Sequence, residues 1–379
     1  MRRSLAVVVL STLVLISAPA GAGYVVTNLV SDQNLGPGVL QDSQLVNAWG
    51  LTFRGTSPFW VANNGTGFST LYNTSTGAAV KQALVVSMPN LDPVTGTVGN
   101  LSTSFNGDPF LFAAENGGIF GWRAALGTTA ETLLPPNSSV YKGLAINGST
   151  LYAAEFSDGT VGRGQIDIFA GGFGSPLHVT DPTVPNDYGP FGLQLIGGKI
   201  YVTFAEQDPN SPGDDLKGPN HGFVDVLDPV TNALTRLISD GVLDSPWGLA
   251  IAPPNFGDFS GALLVGNFGN GMINAFDPTT GAFLGSLSNT AGTPITIDGL
   301  WALQFGNGAA AGPMDRLFFT AGPNDESNGL FGAISVATVP EPGTGLLFAV
   351  GVLALAGSRR RLGTTCFFGT VPRPRTTHA

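Results

Sequence analysis

Glu115, Glu155 and Glu206 each close a short apolar run, Phe110 to Ala114, Leu151 to Ala154 and Ile200 to Ala205. Asn63, Asn64, Asn116, Asn267 and Asp325 follow or flank similar runs. Carboxylates and amide carbonyls are hard oxygen donors, and a set of them converging on one point suits Ca²⁺ or Mg²⁺. This reading takes Glu115, Glu155, Glu206 and Asn267 as metal ligands. It leaves Asn63, Asn64, Asn116 and Asp325 to line a ligand channel backed by Trp49, Trp247 and Trp301. Asn and Asp at strand ends also bond their own backbone as turn formers, so the three glutamates carry the distinction.

Other chemistries are poorly supplied. The histidines are His178, His221 and His378 near the C-terminus, and neither of the first two sits in a Gly-x-Ser-x-Gly context. The one cysteine, Cys366, also lies near the C-terminus. Glycine clusters such as Gly171-Gly172-Phe173-Gly174 lack the lysine of a phosphate loop. An acidic stretch, Asp208 to Asp215, is a further cation candidate, although its spacing is not that of an EF-hand.

The elements that must position these residues recur at a spacing of roughly fifty residues, in the range of propeller blades. An aromatic or glycine lead-in opens an apolar strand at Trp49-Gly50-Leu51, Gly143-Leu144, Phe191-Gly192-Leu193, Trp247-Gly248-Leu249 and Trp301-Ala302-Leu303. A degenerate sixth copy is expected at Asn100 to Phe105. About ten residues later comes a nearly continuous apolar strand, as burial on both faces requires. Third strands are expected at 69–73, 118–123, 164–170, 222–228, 271–277 and 329–334, and the turns Asp228-Pro229 and Asp277-Pro278 lead into fourth strands.

Four strands repeated six times predict an all-β fold, a six-bladed β-propeller over residues 23–338. Tyr24 to Val30 is expected to supply the outer strand of the last blade and fasten the ring. Ser245 to Pro253, Leu263 to Gly269, Ile297 to Leu303 and Phe319 to Glu326 resemble a propeller family without an assigned activity. The oxygen-rich strand ends are also similar, more loosely, to six-bladed lactonases and gluconolactonases, which implies an axial metal activating a lactone or water.

Both ends read as addresses. Arg2-Arg3, an apolar run from Leu5 to Ile16 and small residues from Ala18 form a signal peptide over 1–22, with signal peptidase expected to cut after Ala22. At the other end, Pro340-Glu341-Pro342, an apolar run to Gly357 and Arg359-Arg360-Arg361 resemble a PEP-CTERM sorting signal over 339–361. That resemblance implies recognition by an exosortase, a membrane protease, and transient tethering by a short hydrophobic helix. Residues 362–379 form an atypical extension beyond it.

The body carries nine basic against twenty-five acidic residues, which argues against nucleic acid as a partner. With exopolysaccharide-producing bacteria implied by the sorting signal, the leading expectation is an exported propeller that binds exopolysaccharide or a surface protein. A divalent-metal-dependent hydrolase and a structural matrix protein are the alternatives.

Overall fold

The computed structural model describes residues 23–239 and 241–337. The signal peptide, the sorting signal and the C-terminal extension lie outside these residues.

Six sheets follow one another along the chain, antiparallel except where Leu40–Gln41 pairs parallel with Tyr24–Ser31 at the outer edge of the last. Blade 1 runs from its inner strand outward through Ala48–Thr52, Phe59–Asn63, Phe68–Asn73 and Val80–Ser87. Blade 2 comprises Val94–Gly99, Phe110–Ala114, Ile119–Trp122 and Glu131–Leu134, and blade 3 Val140–Asn147, Thr150–Ser157, Gln165–Ala170 and Leu177–Val179. Blade 4 has Tyr188–Ile196, Lys199–Asp208, Phe223–Leu227 and Leu234–Ser239, with an added strand, Ser211–Asp215, paired to its second. Blade 5 is Pro246–Ile251, Leu263–Asn267, Ile273–Phe276 and Phe283–Ser286. Blade 6 is Leu300–Phe305, Leu317–Ala321 and Leu330–Val336, completed by Tyr24–Ser31.

That last strand pairs antiparallel with Leu330–Val336 from Tyr24↔Val336 to Ser31↔Leu330, so the two ends of the body share one sheet. The Tyr24 hydroxyl also donates to the Phe256 carbonyl at 3.0 Å, tying the closing strand to blade 5. Each inner strand touches the inner strands of both neighbouring blades, and blade 6 contacts blade 1. The ring is therefore closed, which hides strand edges that would otherwise recruit other chains.

The second strands explain the continuous apolar runs. Those of blades 1, 2, 5 and 6 are buried at every position, because their two faces pack against the adjacent blades. One expected inner strand is displaced. It is Val94–Gly99, not Asn100 to Phe105. Asn100 instead organises a turn, its carboxamide oxygen accepting from the Ser102 amide at 2.8 Å and its amide group donating to the Asp108 carbonyl at 2.9 Å.

The narrow centre has a sequence cause. A Cβ on Gly50, Gly96, Gly143, Gly192 or Gly248 would lie within 2.8 Å of the carbonyl oxygen of Thr95, Lys142, Phe191, Trp247 or Trp301 respectively, each in the next blade. Glycine allows that backbone approach. Beyond this layer Leu51, Thr97, Leu144, Leu193, Leu249 and Leu303, one from each inner strand, surround a cavity of about 20 Å³. The axis is filled rather than open.

Candidate functional site

Strand pairing defines which side chains share the axial end. In the six blades Ala48 pairs with Asn63, Val94 with Ala114, Tyr141 with Glu155, Pro190 with Phe204, Pro246 with Asn267 and Leu300 with Ala321. Directly after each first-named residue the inner strand carries a bulge. The residue opening each bulge is Trp49, Thr95, Lys142, Phe191, Trp247 or Trp301. Bulges re-aim side chains, and here they bring several of these to a common centre.

Trp301 is the hub. Its ring stacks on Trp49 at 3.6 Å and on Phe268 at 3.9 Å, and meets Trp247 edge-on at 6.0 Å. Lys142 holds the equivalent place in blade 3, with its Nζ 4.8 Å from the Trp49 ring centre and 5.7 Å from that of Phe156. Only 2% of the Lys142 side chain is exposed. A desolvated ammonium over aromatic faces gains cation–π attraction, although a formal counter-charge is still needed.

Glu115 supplies it. Lys142 Nζ donates to Glu115 Oε1 at 2.6 Å, and Asn64 Nδ2 donates to Glu115 Oε2 at 2.9 Å. Asn47 Nδ2 donates to Asn64 Oδ1 at 3.2 Å and to Glu326 Oε2 at 2.6 Å, while Trp301 Nε1 donates to Asn47 Oδ1 at 3.2 Å. A continuous polar chain thus crosses blades 3, 2, 1 and 6 on an aromatic floor. Burial opposes ionisation of both Lys142 and Glu115, yet their mutual attraction holds the carboxyl below and the ammonium above the usual range.

Two further carboxylates face the same lysine. Asp215, delivered by the added strand of blade 4, and Glu326 are both raised by burial, with Lys142 pulling in the opposite direction. Lys217 lies 4.2 Å over the Phe268 ring. The acidic stretch Asp208 to Asp215 is accordingly part of a sheet: Asp208 accepts from the Asn210 amide and Asp214 from the Ser211 hydroxyl.

The four residues expected to share a metal do not meet. Pairing shows that Asn64, Glu115, Phe156, Ala205, Phe268 and Gly322 are equivalent, so Glu155 falls one residue early and Glu206 one residue late. Side chains alternate along a strand, and a one-residue offset turns a group away. Glu155 accepts from Ser139 at 2.6 Å and from Gln165 within its own blade. Glu206 accepts from the Tyr188 hydroxyl at 3.1 Å and lies 3.3 Å from His221 Nδ1. Asn267 donates to the Val242 carbonyl at 2.8 Å.

The remaining candidates divide similarly. Asn63 donates to Thr70 Oγ1 at 3.0 Å inside blade 1, and Asn116 shapes a turn by accepting from the Gly118 amide at 3.1 Å. Asp325 is exposed, and its neighbour Glu326 reaches the axial chain instead. Asn64, Glu115, Trp49, Trp247 and Trp301 are brought together. These residues do not fit a shared axial Ca²⁺: three of the four proposed donors lie elsewhere, and Glu115 already faces an ammonium.

Sequence reasoning passed over Lys142, Asn47 and Glu326, and took Asp215 only as the end of an acidic stretch. The available signal for Lys142 was its position before Gly143-Leu144, where other blades place an aromatic residue before Gly-Leu.

Ring closure, four-stranded blades and a filled axis with one polar end define a six-bladed β-propeller. The chain belongs to the same family as Uncharacterized protein R648 of Acanthamoeba polyphaga mimivirus, with 31% identity over 314 residues, 77% of this chain and 76% of that protein. Uncharacterized protein L690 of the same virus is 28% identical over 336 residues, covering 83% and 86%. Residues 338–361 match the PEP-CTERM protein-sorting motif, which marks an exported, cell-surface-sorted protein processed by an exosortase.

Solved structures agree on the fold alone. A structural genomics protein of unknown function from Bacteroides thetaiotaomicron superposes with a TM-score of 0.52 at 10% identity, over 83% of this chain and 76% of that one. The α-L-arabinofuranosidase arb93a from Fusarium graminearum gives 0.51 at 12% identity, over 82% and 98%.

Proposed function

We propose that this protein is an exported propeller that binds a hydroxyl-rich surface ligand, an exopolysaccharide, at the axial end carrying Glu115, Asn64, Asn47 and Glu326. The carrying observation is the hydrogen-bonded chain joining these residues to Lys142 across four blades. Amides offer donors and acceptors together, and carboxylates accept strongly, which is the complement a sugar hydroxyl needs. Fixed mutual bonds hold the groups in place before a ligand arrives, reducing the ordering cost of binding.

The body's acidic balance favours neutral glycans over anionic ones. Binding without turnover agrees with a lysine already engaged by Glu115 and with glutamates too dispersed for a lactonase-like metal centre. Residues 1–22 act in this scheme as a leader removed after Ala22, and exosortase acts near Pro342 to complete delivery.

Retention of the exported protein on immobilised native exopolysaccharide, a neutral glycan and a polyuronate tests the proposal. Retention on the first two exceeding that on the polyuronate is expected. Absence of retention on every matrix would refute binding.

A further inference from the structure

Blades 3 and 4 solve one electrostatic problem with different side chains. Asp167 faces His178 across the third and fourth strands of blade 3, as Asp225 faces Arg236 in blade 4. Each site gathers two buried carboxylates. In blade 4 the Arg236 guanidinium contacts Asp225 and also Asp181, at 2.5 Å and 2.6 Å. Blades 1 and 2 likewise give a permanent cation to their buried acids, Lys81 to Asp42 and Arg123 to Asp108.

Among the described residues, blade 3 has no such cation at this position. Glu155 and Asp167 are 7% and 3% exposed, and the basic group beside them is the His178 imidazole, 2.6 Å from Asp167 Oδ1. Unlike a guanidinium, an imidazole can offer a ring nitrogen to a metal ion, so this position can bind a cation where blade 4 carries one of its own.

Ligand atoms of Glu155, Asp167 and His178 lie within 4.8 Å of one another, the one such group of three among the described residues. Glu155 also lines a surface cleft of about 190 Å³ together with Arg163 and Gln165, and the His178 side chain is 51% exposed, which leaves that ligand room to turn. The Tyr141 hydroxyl donates to Asp167 Oδ2 at 2.6 Å, and Ser139 donates to Glu155 Oε1 at 2.6 Å. Such outer bonds orient ligating carboxylates.

We propose that Glu155, Asp167 and His178 form a binding site for a borderline divalent cation of the Zn²⁺ or Mn²⁺ class, on blade 3 and separate from the axial end. One imidazole nitrogen and two carboxylate oxygens match those ions better than the all-oxygen shell Ca²⁺ prefers. Small side-chain adjustments bring three ligands to bonding distance of about 2.0–2.2 Å. The ion takes the role that Arg236 plays in blade 4, neutralising two buried carboxylates.

Chelator-treated full-length protein titrated separately with Zn²⁺, Mn²⁺ and Ca²⁺, with bound metal measured by mass spectrometry, tests the site. One Zn²⁺ or Mn²⁺ ion per chain is expected, with affinity reduced at least about tenfold in His178→Gln and unchanged in His221→Gln. The bound ion should raise the melting temperature of the parent but not that of His178→Gln. His178 is half-exposed on an outer strand, so that variant keeps the fold; Asp167→Asn, checked by circular dichroism, provides the second arm. Failure to bind Zn²⁺ or Mn²⁺ stoichiometrically, binding of Ca²⁺ alone, or undiminished affinity in His178→Gln would overturn the proposal.

Discussion

Lys142 of blade 3 donates its Nζ to Glu115 Oε1 of blade 2 at 2.6 Å, with 2% of the lysine side chain exposed. An ion pair so placed ties the inner strand of blade 3 to the end of the second strand of blade 2 at the polar end of the axis. Removing either partner leaves the other buried charge without its directly bonded counter-charge.

Glu115→Gln or Lys142→Met is therefore expected to cost about 3–5 kcal/mol, whereas Lys142→Met with Glu115→Leu costs much less than the two changes summed. Denaturant unfolding of the three variants measures the coupling. Additive losses would show that the pair does not act as a unit.

Gly192 tests the close approach of blades 4 and 5. A Cβ there would stand 2.0 Å from the Trp247 carbonyl oxygen, while one on Gly172 meets nothing within 4 Å. Gly192→Ala should destabilise by at least about 1–3 kcal/mol, and Gly172→Ala should change stability little. Thermal melts of the two variants distinguish them.

Much of this frame was legible in the sequence. Four inner strands announce themselves by an aromatic residue before Gly-Leu or Ala-Leu, because the same approach to the next blade recurs each time. Thr95-Gly96-Thr97 has neither aromatic nor leucine, so the pattern places its strand six residues too late. The site was harder to read. Glu115, Glu155 and Glu206 look equivalent along the chain, yet only strand pairing shows that they stand at three successive positions and face different ways. Lys142 escaped notice since a lysine before glycine ordinarily suggests a solvated turn.

Closure of the ring makes a third prediction. Deleting residues 23–31 removes the strand paired with Leu330–Val336 and exposes that strand's edge. Self-association should follow, seen as a larger mass by light scattering. A monodisperse monomer of unchanged stability would show that the closing strand is dispensable.

Arg236 serves two carboxylates whose titrations are driven apart. Burial pushes Asp225 up to about 7, with Asp181 beside it adding to the rise and Arg236 opposing it. Asp181 is lowered to about 2, because hydrogen bonds from Asp225, Thr183 and Arg236 outweigh its own burial. A carboxyl with a raised folded pKa keeps its proton while the unfolded chain loses it, so this group's contribution falls as pH rises from about 4 to 7. Asp181 acts in the opposite sense, its contribution being lost as pH falls from about 4 toward 2. Asp225→Asn should flatten the first slope, by up to about 1.4 kcal/mol per pH unit, when unfolding is measured between pH 4 and 7. An unchanged slope would place the titration elsewhere.

The most direct test of the axial site is calorimetric titration of native exopolysaccharide fragments into the exported protein, Glu326→Gln and Asn64→Ala. Both residues are half-buried at the polar end and are not themselves bonded to Lys142. Saturable binding by the parent, weakened about tenfold or more in each variant, is the expected result, since each loses a positioned hydrogen bond of roughly 1–2 kcal/mol. Saturable binding of equal strength in all three proteins, or none in the parent, would contradict an axial ligand site.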